Sequence, residues 1–241
     1  LKHNNPCGAS ISNSQSNSFK NALECDSVSA FGGIVAFNSN LGKETAMNLT
    51  DIFLECIVAP SFDDEALEIL KAKKNLRVLK FPKSNLPQHH QTSSKSIMGG
   101  LLIQDYDNNE DKLVNWISVT KNNPTEQEAI DLNFAWKICK HVKSNAIVIA
   151  KNQKTIGIGA GQMNRVGAAK IALEAAREEC FGAVLASDGF FPFSDTVELA
   201  NEYGISSIIQ PGGSLRDEES IKMCDSKGIS MIFTKQRHFL H

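Results

Sequence analysis

Cys56-Ile57-Val58-Ala59-Pro60-Ser61, continued by Asp63 to Lys73 and then by Leu76-Arg77-Val78-Leu79-Lys80-Phe81, is the stretch on which the fold turns. A short apolar run stopped by proline reads as a strand, because proline cannot donate to a sheet ladder. Ser61 is the expected helix cap, and Ala66, Leu67 and Leu70 recur at the spacing that buries one side of a helix. The next apolar run, Leu76 to Phe81, predicts another strand. Upstream, Ser29-Ala30-Phe31-Gly32-Gly33-Ile34-Val35-Ala36-Phe37 reads as a glycine turn feeding a buried strand, and Lys43 to Phe53 as a helix. Strand, helix, strand, helix, strand is the rhythm of parallel α/β structure.

Asn17 to Asp26 predicts a short helix with Phe19, Ala22 and Leu23 on one side. Pro82 to Ser96 is polar and proline-bearing and reads as a surface loop; its His89-His90 pair lacks a third ligand at metal-binding spacing. Gly99 to Asp105 and Val114 to Val119 read as strands. A lobe border is expected between residues 122 and 123. Asn123 as cap, Pro124 in the first turn and Glu126 then start a helix with Ile130, Phe134, Ile138 and Val142 on its core side. Ala146 to Ala150 and a strand through Ile156 and Ile158 pair as a hairpin about Asn152-Gln153.

Gly157-Ile158-Gly159-Ala160-Gly161-Gln162-Met163-Asn164-Arg165 leads into a helix but lacks the glycine spacing of a dinucleotide fingerprint. What it offers is a turn and a helix N-terminus able to hold an anionic or carbonyl-bearing ligand, with Arg165 as forked partner. Gly182 to Ala186 is a strand entering Ser187-Asp188-Gly189-Phe190-Phe191-Pro192-Phe193-Ser194-Asp195, whose aromatics either fill core or wall a flat ligand. Ser29 to Pro60 and Ser187 to Pro211 share a plan of turn, helix and proline-ended strand, each followed by a further helix and strand. A duplicated α/β unit is the expectation.

A net charge of −2 and a pI near 6.3 give no electrostatic reason to expect nucleic acid or anionic membrane as partner. No apolar run approaches the length needed to span a bilayer. The cysteines at 7, 25, 56, 139, 180 and 224 form no C-x-x-C pair, which fits reduced thiols in a cytoplasmic protein.

Lys2-His3-Asn4-Asn5-Pro6-Cys7-Gly8 sets a cation beside a group that titrates near neutrality. On its own this is either a solvated chain end or a site loop. Together with Ser29 to Ala36, Ile158 to Arg165, Ser187 to Phe193 and the closing Arg237-His238-Phe239, it resembles the formyltransferase domain of bifunctional purine biosynthesis proteins. That domain is the 5-aminoimidazole-4-carboxamide ribonucleotide (AICAR) formyltransferase, fused in the family to an IMP cyclohydrolase. The resemblance runs from Lys2 to His241. It implies a cytidine-deaminase-like three-layer fold, duplicated in lobes 1–122 and 123–241, and homodimers with shared active sites. The cyclohydrolase domain and the start of the transferase domain are expected to be absent from this chain.

The implied reaction moves the formyl group of 10-formyltetrahydrofolate to the 5-amino group of AICAR. By resemblance His3 is the general base and Lys2 stabilises the developing oxyanion or serves the leaving nitrogen. Asn145, Arg165, Gly32, Glu55 and Arg237 fall at AICAR positions, and Phe190, Asp195 and Val166 on the folate side. No metal is implied, since neither H-x-E nor P-C-x-x-C, the zinc deaminase signature, is present. The competing expectation is a non-catalytic α/β nucleotide-binding fragment, with a metal hydrolase third.

Overall fold

The computed structural model describes residues 1–82, 84, 92–107 and 116–241, and the chain is mixed α/β. The first unit is β1 (Gly33–Ala36), α3 (Lys43–Leu49), β2 (Leu54–Ala59), α4 (Asp64–Lys71) and β3 (Arg77–Lys80), preceded by α1 (Gln15–Cys25) and the helical turn α2 (Ser27–Ala30). Its strands are all parallel, in the order β1-β2-β3. Phe19 of α1, Ala46 and Leu49 of α3, and Ala66 and Leu70 of α4 pack on Ile57 and Ala59. On the opposite face Cys56 at the centre is buried but the flanks are open: Ile34 is 42%, Leu79 52% and Phe81 42% exposed. The strand expected to be buried at Ile34 is therefore an edge strand with one apolar side in the open. Glu55 is the extra residue of a bulge in β2, since Gly33 pairs with Leu54 and Ile34 with Cys56.

Between the units, β4 (Thr92–Ile97) and β5 (Gly100–Asp105) form an antiparallel hairpin exposed on both faces. Thr92 to Ser96 was expected as loop; with neither face buried, the strand carries no alternation to detect. The His89-His90 pair lies outside the described residues. The short β6 (Ile117–Ser118), just before the expected lobe border, pairs antiparallel with the last strand of the second sheet.

That second sheet follows α5 (Glu126–Cys139) and contains β7 (Ile147–Lys151), β8 (Lys154–Gly159), β9 (Val184–Ser187), β10 (Ser207–Gln210) and β11 (Ser230–Phe233) in the order β6-β11-β10-β9-β7-β8. Strands β9, β10 and β11 are parallel and joined by α7 (Asp195–Glu202) and α8 (Asp217–Lys227), so both units run β-α-β-α-β with the same strand sequence. Alternation along each strand divides the core. Ile147, Ile149, Leu185, Ile208 and Met231 face α6 (Arg165–Ala176), α7 and α8, whereas Val148, Ala150, Val184, Ala186, Ile209 and Ile232 face α5.

Gly157 and Gly159 sit in β8, where α6 lies directly on the strand. A Cβ on either would fall 2.0 Å or 1.9 Å from the carbonyl oxygens of Ala172 and Ala168. The hairpin turn holds Asn152 and Gln153 at positive φ, and the buried Asp131 carboxylate of α5 accepts from both their backbone N–H groups.

Three helix starts differ from expectation, the first being α1, which begins at Gln15 after the cap Ser14 and not at Asn17. Ser61 does not cap α4: its carbonyl accepts from Leu41 N–H and its hydroxyl donates to Asn40 Oδ1, so the helix begins after Asp63. Thr125, two residues beyond Asn123, caps α5 in a reciprocal box with Glu128. On α5 the buried side includes Leu132, Ala135, Trp136 and Cys139, while Ile130 is exposed.

Candidate functional site

The N-terminal segment stitches the two sheets together. Leu1 exchanges backbone hydrogen bonds with Ile34 at the edge of β1. Lys2 and Asn5 exchange a pair across a tight turn whose central residues, His3 and Asn4, sit at φ 50° and 61°. Both are in the left-handed region, the geometry of a two-residue type I′ turn. His and Asn tolerate it better than most residues, at a cost on the order of 1 kcal/mol each. Gly8 then packs against α1 so closely that a Cβ would lie 1.8 Å from the Ala22 carbonyl oxygen. Ala9 and Ile11 bond the edge of β8 through Thr155 and Gln153.

The turn presents His3 to solvent and bends Lys2 inward. Lys2 Nζ donates to the Phe31 carbonyl at 2.6 Å and lies over Gly32, where a Cβ would come within 3.1 Å of it. Gly32 is at φ 67°, so its lack of a side chain serves both the turn and the ammonium. An ammonium carries three N–H groups, which leaves two for a ligand.

From the turn, hydrogen bonds converge on Lys143–Ala146. Lys143 N–H donates to Asn5 Oδ1 at 3.0 Å, and Gly161 N–H to the Lys143 carbonyl at 2.7 Å. Ser144 N–H donates to the Leu240 carbonyl at 2.9 Å. Asn145 donates from Nδ2 and from its backbone to the Gln162 carbonyl. Asp188 N–H donates to the Ala146 carbonyl, and His238 N–H to the Asp188 carbonyl. The N-terminal turn, the glycine-rich turn before α6, the Ser187–Phe190 loop and the C-terminal tail thus meet on four consecutive residues.

Arg165, the first residue of α6, is only 8% exposed. Its Nε donates to the Phe190 carbonyl at 3.1 Å and its Nη1 to Ser187 Oγ at 3.2 Å and to the buried Asp188 carboxylate. Nη2 faces Gly189, where a Cβ would lie 2.4 Å from it and 2.9 Å from the Phe239 ring. Burial pushes the Cys139 thiol well above its ordinary value, and the Asp188 charge adds to that rise. Asp188 and Ser187 stood in a quoted motif without a role. Their partner is more than twenty positions away, and only the need of a buried carboxylate for a cation hints at the pairing.

Val166 and Asp195 line one groove of about 360 Å³ between α6 and α7, with Asn164, Leu199 and Glu202. Asn164 caps α6 by accepting from Gly167 N–H. Of the loop aromatics, Phe191 is core, Phe190 half-buried, and Phe193 exposed beneath the Arg216 guanidinium. Arg237 is exposed and stacks on Phe239. Glu55 is engaged elsewhere, in a 2.7 Å ion pair with Arg77 on β3. A larger cleft of about 780 Å³, between the end of α1 and the end of α6, contains none of the anticipated site residues. Among the described residues no group of three or more His, Cys, Asp or Glu side chains is placed to hold a metal ion, and no helix is long and apolar enough to cross a membrane.

Comparison with known proteins bears on these same stretches. The chain is 79% identical over 241 residues to the bifunctional purine biosynthesis protein PurH of Prochlorococcus marinus strain MIT 9515, and 58% identical over 244 aligned residues to that of strain MIT 9211. All of this chain is aligned in both cases, but only 47% and 46% of the relatives, so it spans a little under half of their length. The family model for the AICARFT/IMPCHase bienzyme matches residues 1–175, well over half of the chain, and the protein belongs to that family.

Proposed function

We propose that this chain carries the formyl-transfer half of its family's chemistry, moving a formyl group from 10-formyltetrahydrofolate to the 5-amino group of AICAR. The observation that carries this reading is the convergence on Lys143–Ala146: four motifs far apart in sequence, each implied by resemblance to serve this reaction, are tied to one short segment. The cytidine-deaminase-like description, the two lobes at 1–122 and 123–241 and a cytoplasmic location belong to the same proposal.

The amine of AICAR is conjugated to a carboxamide and nucleophilically weak, so its attack needs a proton acceptor. His3, exposed at the tip of its turn, is the general base, a role typically worth about 10²–10⁴ in rate. Lys2, steadied by the Phe31 carbonyl, directs its remaining N–H groups at the oxygen on which negative charge develops, or at the departing nitrogen. Asn145, Gly32 and Arg237 are assigned to AICAR, together with the one guanidinium nitrogen that Arg165 does not spend internally. Glu55 joins them only by giving up Arg77. The folate supplies the formyl group. Val166 and Leu199 offer its ring system apolar walls, Asp195 a polar handle and Phe190 a ring face.

A second copy of the chain is proposed to complete the site. The apolar side chains left open on the first sheet and on the β4–β5 hairpin, where Leu101 is 63% and Ile103 66% exposed, suit such a contact.

The test is a formyl-transfer assay of the wild-type chain and His3→Ala, beside a form extended to the length of the PurH relatives. His3→Ala is expected to lose turnover by about 10² or more while its AICAR affinity stays within a few fold. Undiminished turnover refutes the base assignment. AICAR binding without formylated product from any form favours a binding-only module.

A further inference from the structure

We infer that Asp188 is a positioning residue: it sets the direction of the Arg165 guanidinium and locks that arginine to the loop carrying Phe190. The inference rests on the formyl-transfer reading for its substrates, but its geometry is independent of it. Asp188 is fully buried, one oxygen accepts from Arg165 Nη1, and the other has no hydrogen-bond partner among the described residues.

Such a pair contributes little net stability. The desolvation of two charges offsets most of their attraction, and an apolar replacement of both partners is often no less stable. A half-satisfied carboxylate adds a further penalty. What the pair does supply is direction. Asp188 and Ser187 take Nη1, the Phe190 carbonyl takes Nε, and these three acceptors lie within one four-residue stretch, 187–190. Three planar donors fixed from one side leave the guanidinium a single orientation, with Nη2 turned toward Gly189 and the Phe239 ring. The same loop is anchored through Asp188 N–H to Ala146, beside Asn145, and through the Asp188 carbonyl to the C-terminal tail. Displacing the carboxylate therefore moves an AICAR-side arginine and a folate-side aromatic together.

The experiment compares wild type, Asp188→Asn and Ser187→Ala by two readouts. One is the exchange rate of the Arg165 Nε–H in ¹⁵N NMR spectra of the free protein, assigned through its loss in Arg165→Lys. The other is the formyl-transfer assay with AICAR and folate varied separately. Folded Asp188→Asn is expected to speed Nε–H exchange and to raise the KM for AICAR, each by about tenfold, the worth of one hydrogen bond to a charged group. The kcat is expected to stay within about threefold, a split that general loosening does not produce. Unchanged exchange and unchanged KM in a folded Asp188→Asn protein overturn the assignment. If Asp188→Asn does not fold, Ser187→Ala decides. Exchange raised about threefold supports the assignment, and exchange equal to wild type overturns it, since Ser187 shares Nη1 with Asp188. Faster exchange in a protein whose wild-type form transfers no formyl group sinks the functional reading and leaves the positioning role standing.

Discussion

Replacing Gly159 with alanine tests how α6 is seated. The added methyl would sit 1.9 Å from the Ala168 carbonyl oxygen, whereas ordinary contact begins near 3.4 Å, so helix and strand must separate by well over an ångström. The obstacle is backbone and cannot rotate away. On either side Ala168, Ala169, Ala172 and Ala176 are buried at 4% exposure or less, so there is no slack to absorb the shift. Overpacking a close-packed core costs about 1–3 kcal/mol, and a backbone clash places this one at the upper end. For a chain of this size that lowers the melting temperature by roughly 6–12 °C. Gly161→Ala is the control. Gly161 has φ 67° and open space beside it, so its alanine meets no atom and bears only left-handed strain, roughly 1–2 kcal/mol. Thermal unfolding followed by circular dichroism should rank Gly159→Ala below Gly161→Ala and both below wild type. Equal melting temperatures, or the reverse order, would refute the argument that these glycines are there for helix seating. Because Arg165 begins the displaced helix, the proposed function further predicts that Gly159→Ala weakens AICAR binding, and Gly161→Ala less so.

Two further outcomes are expected. Burial raises the Glu128 carboxyl, but hydrogen bonds from Ser206 and from the Thr125 hydroxyl and backbone N–H outweigh it and hold the group below its ordinary 4.5. A depressed carboxyl stabilises the fold above its unfolded value and loses that contribution as pH falls through the lower folded one. The acid limb of stability below pH 4.5 should therefore be shallower in Glu128→Gln than in wild type, and parallel denaturant midpoints across that window would contradict it. On the proposed pairing of two copies, Ile103→Asp, on the hairpin face it shares with Leu101, should lower the sedimentation mass from that of a pair to that of one chain; an unchanged mass excludes the hairpin from such a contact.

The parallel units were legible because their signals are local. Val58-Ala59-Pro60 ends a strand, Leu67 and Leu70 follow at helical spacing, and the same order recurs after Ser187. Thr92–Ile97 was not, since a strand with both faces in solvent carries no alternation. The start of α5 was misread by two residues because Asn123 and Thr125 are both acceptable caps, and only the Glu128 reciprocal bond separates them. At the site, Lys2, His3 and Arg165 were visible as chemistry without geometry. The Asp188 pairing and the internal use of two Arg165 nitrogens depend on contacts across many intervening residues, which no local pattern encodes. Glycines 157 and 159 were legible only as failing the spacing of a dinucleotide fingerprint; that they seat α6 against β8 depends on the Ala168 and Ala172 carbonyl oxygens, which no spacing reveals.

The junction at Lys143–Ala146 is held almost wholly by main-chain groups, with Asn5 Oδ1 and Asn145 Nδ2 as the side-chain members. Every residue but proline carries those main-chain groups, so exchanging Lys143, Ser144 or Ala146 for another residue leaves the junction its ladder. Adding or removing one residue does not, because each donor would then face the wrong acceptor. Spacing along the chain between Asn5, Gly161, Asp188 and Leu240, more than the identity of the residues that meet, is what this architecture has to keep constant.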